Sequence, residues 1–200
     1  MRANLTKFQR CPGCGNYLIH AAIKNAIKEL KIPKHKLVVI SGIGCASKMS
    51  QYIDSYGCET LHGRALPFAT GVKLANPDLT VIVYGGDGDG YGIGLGHFLH
   101  ACRRDIRLLY IVSNNENYGL TTGQASPTTP YHVKTKSTPD GNQTMPFDPV
   151  GLAKSAGCGY SVRVIDKDLP LLTQAIVYGL KHEGFAHIDV DQACPSWRKW

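Results

Sequence analysis

Between residues 16 and 31, apolar side chains fall at Leu18, Ile19, Ala22, Ile23, Ala26, Ile27 and Leu30. Steps of three and four predict an amphipathic helix, with Asn16 suited to cap its start and Pro33 ending it. The run Leu37-Val-Val-Ile-Ser41 then predicts a short buried strand, followed by Gly42-Ile-Gly-Cys45-Ala. Helical patterns cover 47–53, weakly, and 65–74. Beyond the turn at Pro77-Asp78 come a strand at 80–85, a helix at 93–101 and a strand at 107–112. A long polar stretch, 119–147, precedes a helix at 148–156, a strand at 161–165, a helix at 169–180 and a strand at 186–190. Strands alternating with helices predict an α/β fold: a doubly wound, mainly parallel sheet with helices on both faces. No repeat or linker divides the chain, so 1–200 is expected to form a single domain.

Composition narrows this picture. The chain is 43% hydrophobic and 18% charged, which is ordinary for a globular protein. No apolar run approaches the ~20 residues of a membrane span. The first seven residues have no apolar core behind their charges, so no secretory signal is expected and the cytoplasm is the default location. The net charge is +7, but the basic residues are dispersed, with Arg103-Arg104 the longest pair and no aromatic-interleaved patch. That distribution argues against nucleic acid and fits an acidic protein partner or an anionic cofactor. Seven cysteines, an odd number, in a cytoplasmic protein point to metal or redox chemistry rather than a disulfide framework.

Parallel α/β sheets bind ligands beyond the carboxyl ends of their strands. Three predicted strand ends carry unusual residues: 42–46, 85–90 and 114–119. In Gly85-Gly86-Asp87-Gly88-Asp89-Gly90, Asp87 offers a carboxylate among glycines. Asn115 offers an amide oxygen on the following strand, and the main-chain carbonyl of Asn117 a third oxygen. Such a set suits an octahedral Mg²⁺ that also holds phosphates. A tight glycine turn with capping asparagines is the plainer alternative. Cys11-x2-Cys14 is a two-ligand knuckle, Cys45 stands at a strand end, and Cys194 follows the last strand. Four thiolates hold either tetrahedral zinc or a [4Fe–4S] cluster, and this spacing is not that of a compact zinc finger. Cys58, Cys102 and Cys158 lack such partners; Cys102, on a helix, reads as a small buried hydrophobe. His62, in Leu-His-Gly-Arg-Ala, reads by itself as a hydrogen-bonded core histidine. The 119–147 stretch is either a surface excursion or a lid or subunit contact.

Gly86-Asp87-Gly88 followed by Asn114-Asn115 resembles the thiamine diphosphate fingerprint. The longer text GDGDGYGIG…SNNENYGLTTGQASPTTP resembles the β subunit of the 2-oxoacid:ferredoxin oxidoreductases, over nearly the whole chain. The resemblance implies thiamine diphosphate, Mg²⁺ on Asp87, Asn115 and Asn117, and a [4Fe–4S] cluster on Cys11, Cys14, Cys45 and Cys194. It places Ile43, Gly44, Cys45 and Ala46, with Gly86, Asp87, Gly88, Asp89 and Asn115, against the cofactor. Leu120 and Thr121 fall beside the diphosphate, and His62 becomes a catalytic histidine contacting the cofactor near the substrate. The implied reaction is CoA-dependent oxidative decarboxylation of a 2-oxoacid to acyl-CoA and CO₂, with electrons passing through the cluster to ferredoxin. Thiamine enzymes generally need a glutamate from a pyrimidine-binding domain, for which 200 residues leave no room. An α subunit is therefore expected to supply it, in a heterodimer or a dimer of heterodimers. The chain also ends soon after Cys194, where family members commonly continue over the active site. The alternatives are a thiamine-dependent decarboxylase subunit without electron transfer and a non-catalytic, zinc-stabilised module that binds a phosphate ligand.

Overall fold

The computed structural model describes residues 10–200; the N-terminal stretch read above for a secretory signal lies outside the described residues. Helix α1 (Asn16–Glu29) leads into strand β1 (Leu37–Ser41), the short helix α2 (Met49–Tyr52) and strand β2 (Tyr56–Glu59). Helix α3 (Ala65–Ala75), strand β3 (Thr80–Gly86), helix α4 (Leu95–Arg104) and strand β4 (Leu108–Asn114) follow. A two-residue-per-strand hairpin, β5 (Asn117–Tyr118) with β6 (Gln124–Ala125), opens the long loop. Helix α5 (Pro149–Ser155), strand β7 (Tyr160–Ile165), helix α6 (Leu169–Lys181) and strand β8 (Phe185–Asp191) complete the chain.

Six strands form one sheet in the order β2-β1-β3-β4-β8-β7, and every pairing in it is parallel. Alternate side chains of each strand enter opposite faces. Leu37, Val39, Ile82, Tyr84, Leu109, Ile111, Ile188 and Val190 pack with α1 and α6. Val38, Ile40, Val81, Val83, Tyr110 and Val112 pack with α3, α4 and α5. The doubly wound α/β fold expected from the periodicity is the fold observed. Among the described residues, no helix is long and apolar enough to cross a membrane.

Two details differ from the sequence reading. Asn16 does not cap α1: Gly15 holds the cap position without a side-chain bond, and the Asn16 side chain is fully buried, accepting from Tyr84 Oη. Aspartate explains the exchange. Asp166 fills the space where a Cβ on residue 15 would lie, so only glycine fits there. Strand β2 was not foreseen, because Tyr56-Gly-Cys-Glu59 is exposed or half-buried at the sheet edge and has no apolar run to mark it.

The chain pairs β2 on one side of β1 and β3 on the other. Loops leaving the carboxyl ends of β1 and β3 therefore diverge, opening a crevice at the switch in strand order.

Candidate functional site

Asp87 stands at the head of that crevice. After it the backbone makes one wide turn, Gly88–Ile93, in which the Gly94 N–H donates to the Asp89 carbonyl at 3.0 Å, five residues back. Such turns recur at functional sites. The glycines here serve close approach. A Cβ on Gly88 would strike the Tyr118 ring, one on Gly90 the Tyr110 hydroxyl, and one on Gly42 the Asp89 carboxylate.

Asp87 is buried, and its Oδ2 accepts from Thr128 Oγ1 at 3.0 Å. Burial pushes its carboxyl up to about 6, against the opposing pull of hydroxyl donors from Ser126 and Thr128. Among the described residues, none forms an ion pair with it. At the end of β4, Asn115 Oδ1 accepts from the Asn117 N–H at 3.2 Å, while Asn115 Nδ2 donates to Gln192 Oε1 at 3.1 Å. Glu116 between them takes a left-handed conformation (φ 60°), a strain of about 1–3 kcal/mol that turns both asparagines inward. The Asn117 main-chain carbonyl, the oxygen expected to serve a metal, accepts from the Gly119 N–H at 3.1 Å, whereas among the described residues none donates to its buried side-chain Oδ1. A buried carboxylate lacking a cation and a buried oxygen lacking a donor are both remedied by a hard cation, so this oxygen set fits Mg²⁺.

Asp89 Oδ1 accepts from the Ile43 N–H at 3.0 Å, the Gly63 N–H at 2.8 Å and His62 Nδ1–H at 2.8 Å. One carboxylate oxygen thus ties the loops after β1 and β2 to the loop after β3. It also fixes the His62 ring, leaving Nε2 for a ligand. The ring meets Tyr118 edge-on at 6.3 Å.

These loops enclose a cavity of about 230 Å³. Its walls are Ile43, Gly44, Cys45, Ala46 and His62 on one side and Gly86, Asp87, Gly88 and Asp89 on another. Asn115, Asn117, Leu120 and Thr121 close it, so the structure brings every proposed cofactor position together. Tyr118 and Gly119 also line it. The sequence reading passed over them, although they lie between two chosen positions.

Cys45 lines this cavity, and Cys11, Cys14 and Cys194 lie near enough to act on its thiol. Burial raises the Cys45 thiol to about 11, and the neighbouring Cys194, Cys14 and Cys11 sulfurs add to the rise. All seven cysteines are free thiols. Among the described residues, no three His, Cys, Asp or Glu side chains already stand close enough together to hold a metal ion. The Cys14 sulfur does receive N–H donors from Asn16 and Gln192, at 3.5 and 3.6 Å. Convergent donors on a thiol suit a negatively charged, metal-bound sulfur, so the donor set fits a thiolate-held cluster. Cys102 and Cys158 are buried on the far side of the sheet and Cys58 lies on β2, away from this group.

The 119–147 loop is no plain surface excursion. Thr128 and Thr129 are buried, and Asn142 Nδ2 donates to the Thr129 carbonyl at 2.8 Å. Thr128 was missed because nothing local marks a threonine in a Thr/Pro-rich loop as a partner of Asp87. Behind it, Asn114 Nδ2 donates to Asp189 Oδ1 at 3.1 Å, and Asp189 is paired with Arg163 at 2.6 Å. His187, fully buried between Tyr91 and Ser161, is held neutral, its pKa lowered to about 3 by burial.

A parallel sheet whose strand ends carry a carboxylate and amide oxygens around one cavity defines a diphosphate-binding α/β domain. The family "Thiamine pyrophosphate enzyme, C-terminal TPP binding domain" matches residues 20–190. The chain is 51% identical over 189 residues to a 2-oxoacid:ferredoxin oxidoreductase subunit beta of Saccharolobus solfataricus, covering 94% of this chain and 62% of that protein. It is 45% identical to a 2-oxoglutarate synthase subunit KorB of Archaeoglobus fulgidus, covering 94% and 70%. A solved 2-oxoglutarate:ferredoxin oxidoreductase from Magnetococcus marinus, with 2-oxoglutarate, coenzyme A and succinyl-CoA bound, superposes with a TM-score of 0.96 at 38% identity. That match covers 99% of this chain and 68% of the other. The chain belongs to the family of 2-oxoacid:ferredoxin oxidoreductase β subunits. It spans about two thirds of the length of these relatives.

Proposed function

We propose that this chain is the thiamine diphosphate-binding subunit of an enzyme that converts a 2-oxoacid and coenzyme A to acyl-CoA and CO₂, passing the electrons to ferredoxin. The observation that carries this reading is the meeting of three strand ends in one cavity, with Asp87, Asn115 and Asn117 oxygens in its wall. Asp87, Asn115 Oδ1 and an Asn117 oxygen would hold Mg²⁺ and, through it, the diphosphate. Gly86, Gly88, Leu120 and Thr121 would pack along the cofactor, with Ile43, Gly44 and Ala46 opposite. Bound there, thiamine diphosphate supplies the electron sink for loss of CO₂.

The protein's own part is positioning and proton control. Asp89 holds His62 Nδ1, so Nε2 would face substrate and exchange a proton with it. Cys11, Cys14, Cys45 and Cys194 would hold a [4Fe–4S] cluster, giving electrons a path out one at a time. The net charge of +7 suits an acidic ferredoxin. The cavity wall carries an exposed apolar side chain, Leu120, at 60% exposure, which suits cover by an α subunit bearing the pyrimidine-binding domain. Residues 1–200 would act as one domain within a heterodimer or dimer of heterodimers. Seven free thiols fit the reducing cytoplasm.

The test is anaerobic purification of the chain co-expressed with its partner subunit. The expected product contains iron and acid-labile sulfide in equal amounts and reduces ferredoxin in a 2-oxoacid- and CoA-dependent way. Stoichiometric zinc without iron would overturn the cluster, and bound thiamine diphosphate with no electron output would overturn the oxidoreductase reading.

A further inference from the structure

Two fully buried carboxamides, Asn16 and Gln192, lie between the cavity and Cys14. The Asn16 oxygen accepts from Tyr84 Oη. The Gln192 oxygen accepts from Asn115 Nδ2 at 3.1 Å and Ser113 Oγ at 3.0 Å. With both oxygens engaged by donors, the orientation of each amide is set, and each sends an N–H to the Cys14 sulfur, at 3.5 and 3.6 Å. The second N–H of Gln192 goes to the Ala193 carbonyl. A neutral thiol is a weak acceptor, so aiming two buried amide donors at it wastes hydrogen-bonding capacity unless the sulfur carries negative charge.

Gln192 therefore touches both halves of the site. By taking up Asn115 Nδ2 it turns Asn115 Oδ1 away from itself, toward the Asn117 N–H. By its own N–H it meets a sulfur of the cysteine group. Nothing in the local sequence Asp191-Gln-Ala-Cys194 distinguishes this glutamine from a surface residue; only the parallel pairing of β8 with β4, which sets Asn114 opposite Asp191, places it here.

We propose that Gln192 is a positioning residue joining the two centres: it orients Asn115 for the metal–diphosphate and, with Asn16, donates to Cys14 so as to raise the reduction potential of the cluster. This rests on the cluster reading above. Reduction adds negative charge that spreads onto the ligand sulfurs, and N–H donors stabilise that state more than the oxidised one. Loss of one donor to a charged sulfur should change the reduced-to-oxidised ratio about tenfold, which is about 59 mV for a one-electron couple.

Two substitutions separate the roles. Gln192→Glu keeps an oxygen for Asn115 and removes the N–H from Cys14. Gln192→Leu removes both. In the complete complex, EPR-monitored redox titration should give a midpoint lowered by the tenfold equivalent in Gln192→Leu and by more in Gln192→Glu, whose carboxylate adds negative charge beside Cys14. Affinity for Mg²⁺–thiamine diphosphate, measured by calorimetry on cofactor-stripped complex, should fall about tenfold in Gln192→Leu and stay near wild type in Gln192→Glu. An unchanged midpoint in both variants, or equal loss of cofactor affinity in both, would overturn the proposal. Wild-type complex in which side-chain amides of glutamine carry ¹⁵N offers a check independent of folding. Pulsed EPR of its reduced cluster should show a coupled amide nitrogen, and the absence of that coupling overturns the assignment. A wild-type complex free of iron and sulfide would instead defeat the cluster reading itself, before any variant is made.

Discussion

Replacing Asp87 by Asn should stabilise the protein while destroying its cofactor site. The carboxyl is buried, and burial lifts it from an ordinary 3.8 to about 6. A tenfold change in acidity corresponds to about 1.4 kcal/mol, so keeping this group ionised at neutral pH costs about 3 kcal/mol of folding free energy. The sign follows from the raised value. Below pH 3.8 the carboxyl is protonated in both folded and unfolded chains and costs nothing. Between 3.8 and 6 the unfolded chain ionises first and stability is lost, and above 6 the loss is complete. Asparagine matches the shape, keeps an oxygen for Thr128 Oγ1 and carries no charge. In EDTA at pH 7.5, Asp87→Asn should therefore melt higher than wild type, by roughly 6–12 °C for a chain of this size. The difference should shrink steadily towards pH 4. In the same variant, Mg²⁺-dependent binding of thiamine diphosphate should disappear, read by calorimetry at saturating Mg²⁺. A variant that melts no higher at pH 7.5, or whose advantage persists undiminished at pH 4, would refute the assignment of Asp87 as an uncompensated buried carboxylate. Stability given up at a functional position is a common trade.

Thr128→Val removes a donor that holds Asp87 acidic, so the carboxyl should rise above 6 and metal–diphosphate binding should need a higher pH. The affinity deficit should be nearly absent at pH 8, grow as pH falls through 6 and level off below it; a deficit independent of pH would count against it. Asp89→Ala strips an acceptor from two main-chain N–H groups and from His62, which should cost about 3 kcal/mol in urea denaturation. Asp89→Asn keeps an acceptor oxygen and should lose about 1 kcal/mol. Equal losses would mean that charge, rather than the three hydrogen bonds, is what Asp89 contributes.

Much of the site could be read from sequence because its parts are marked locally. The apolar run ending at Gly85 announces a strand, and the glycines that follow announce a turn where side chains cannot fit. Asn114-Asn115 at the end of the next strand lies on the adjacent strand of the same sheet, since sequential parallel strands tend to be neighbours. Parallelism then carries both strand ends to one side, and Cys45 and His62 arrive there for the same reason. Periodicity of 3.6 and apolar runs were enough for the helices and the buried strands. The exposed edge strand β2 lacked that signal and needed its hydrogen-bonded neighbour β1 to form.

What the sequence could not determine is which polar side chains support these positions. Asp89 sits two residues from Asp87 and resembles it in text, yet the two carboxylates differ wholly in surroundings. Among the described residues Asp87 meets hydroxyls and no cation, whereas Asp89 receives three N–H donors from loops 26 to 46 residues away. Thr128 and Gln192 reach the site across separations of 41 residues to Asp87 and 77 to Asn115. Local pattern determined the elements and the residues at their carboxyl ends, because propensity and hydrophobic period act over a few residues. The partners of those residues were decided only by the tertiary structure, because burial makes every polar group seek a hydrogen bond wherever the packed chain supplies one.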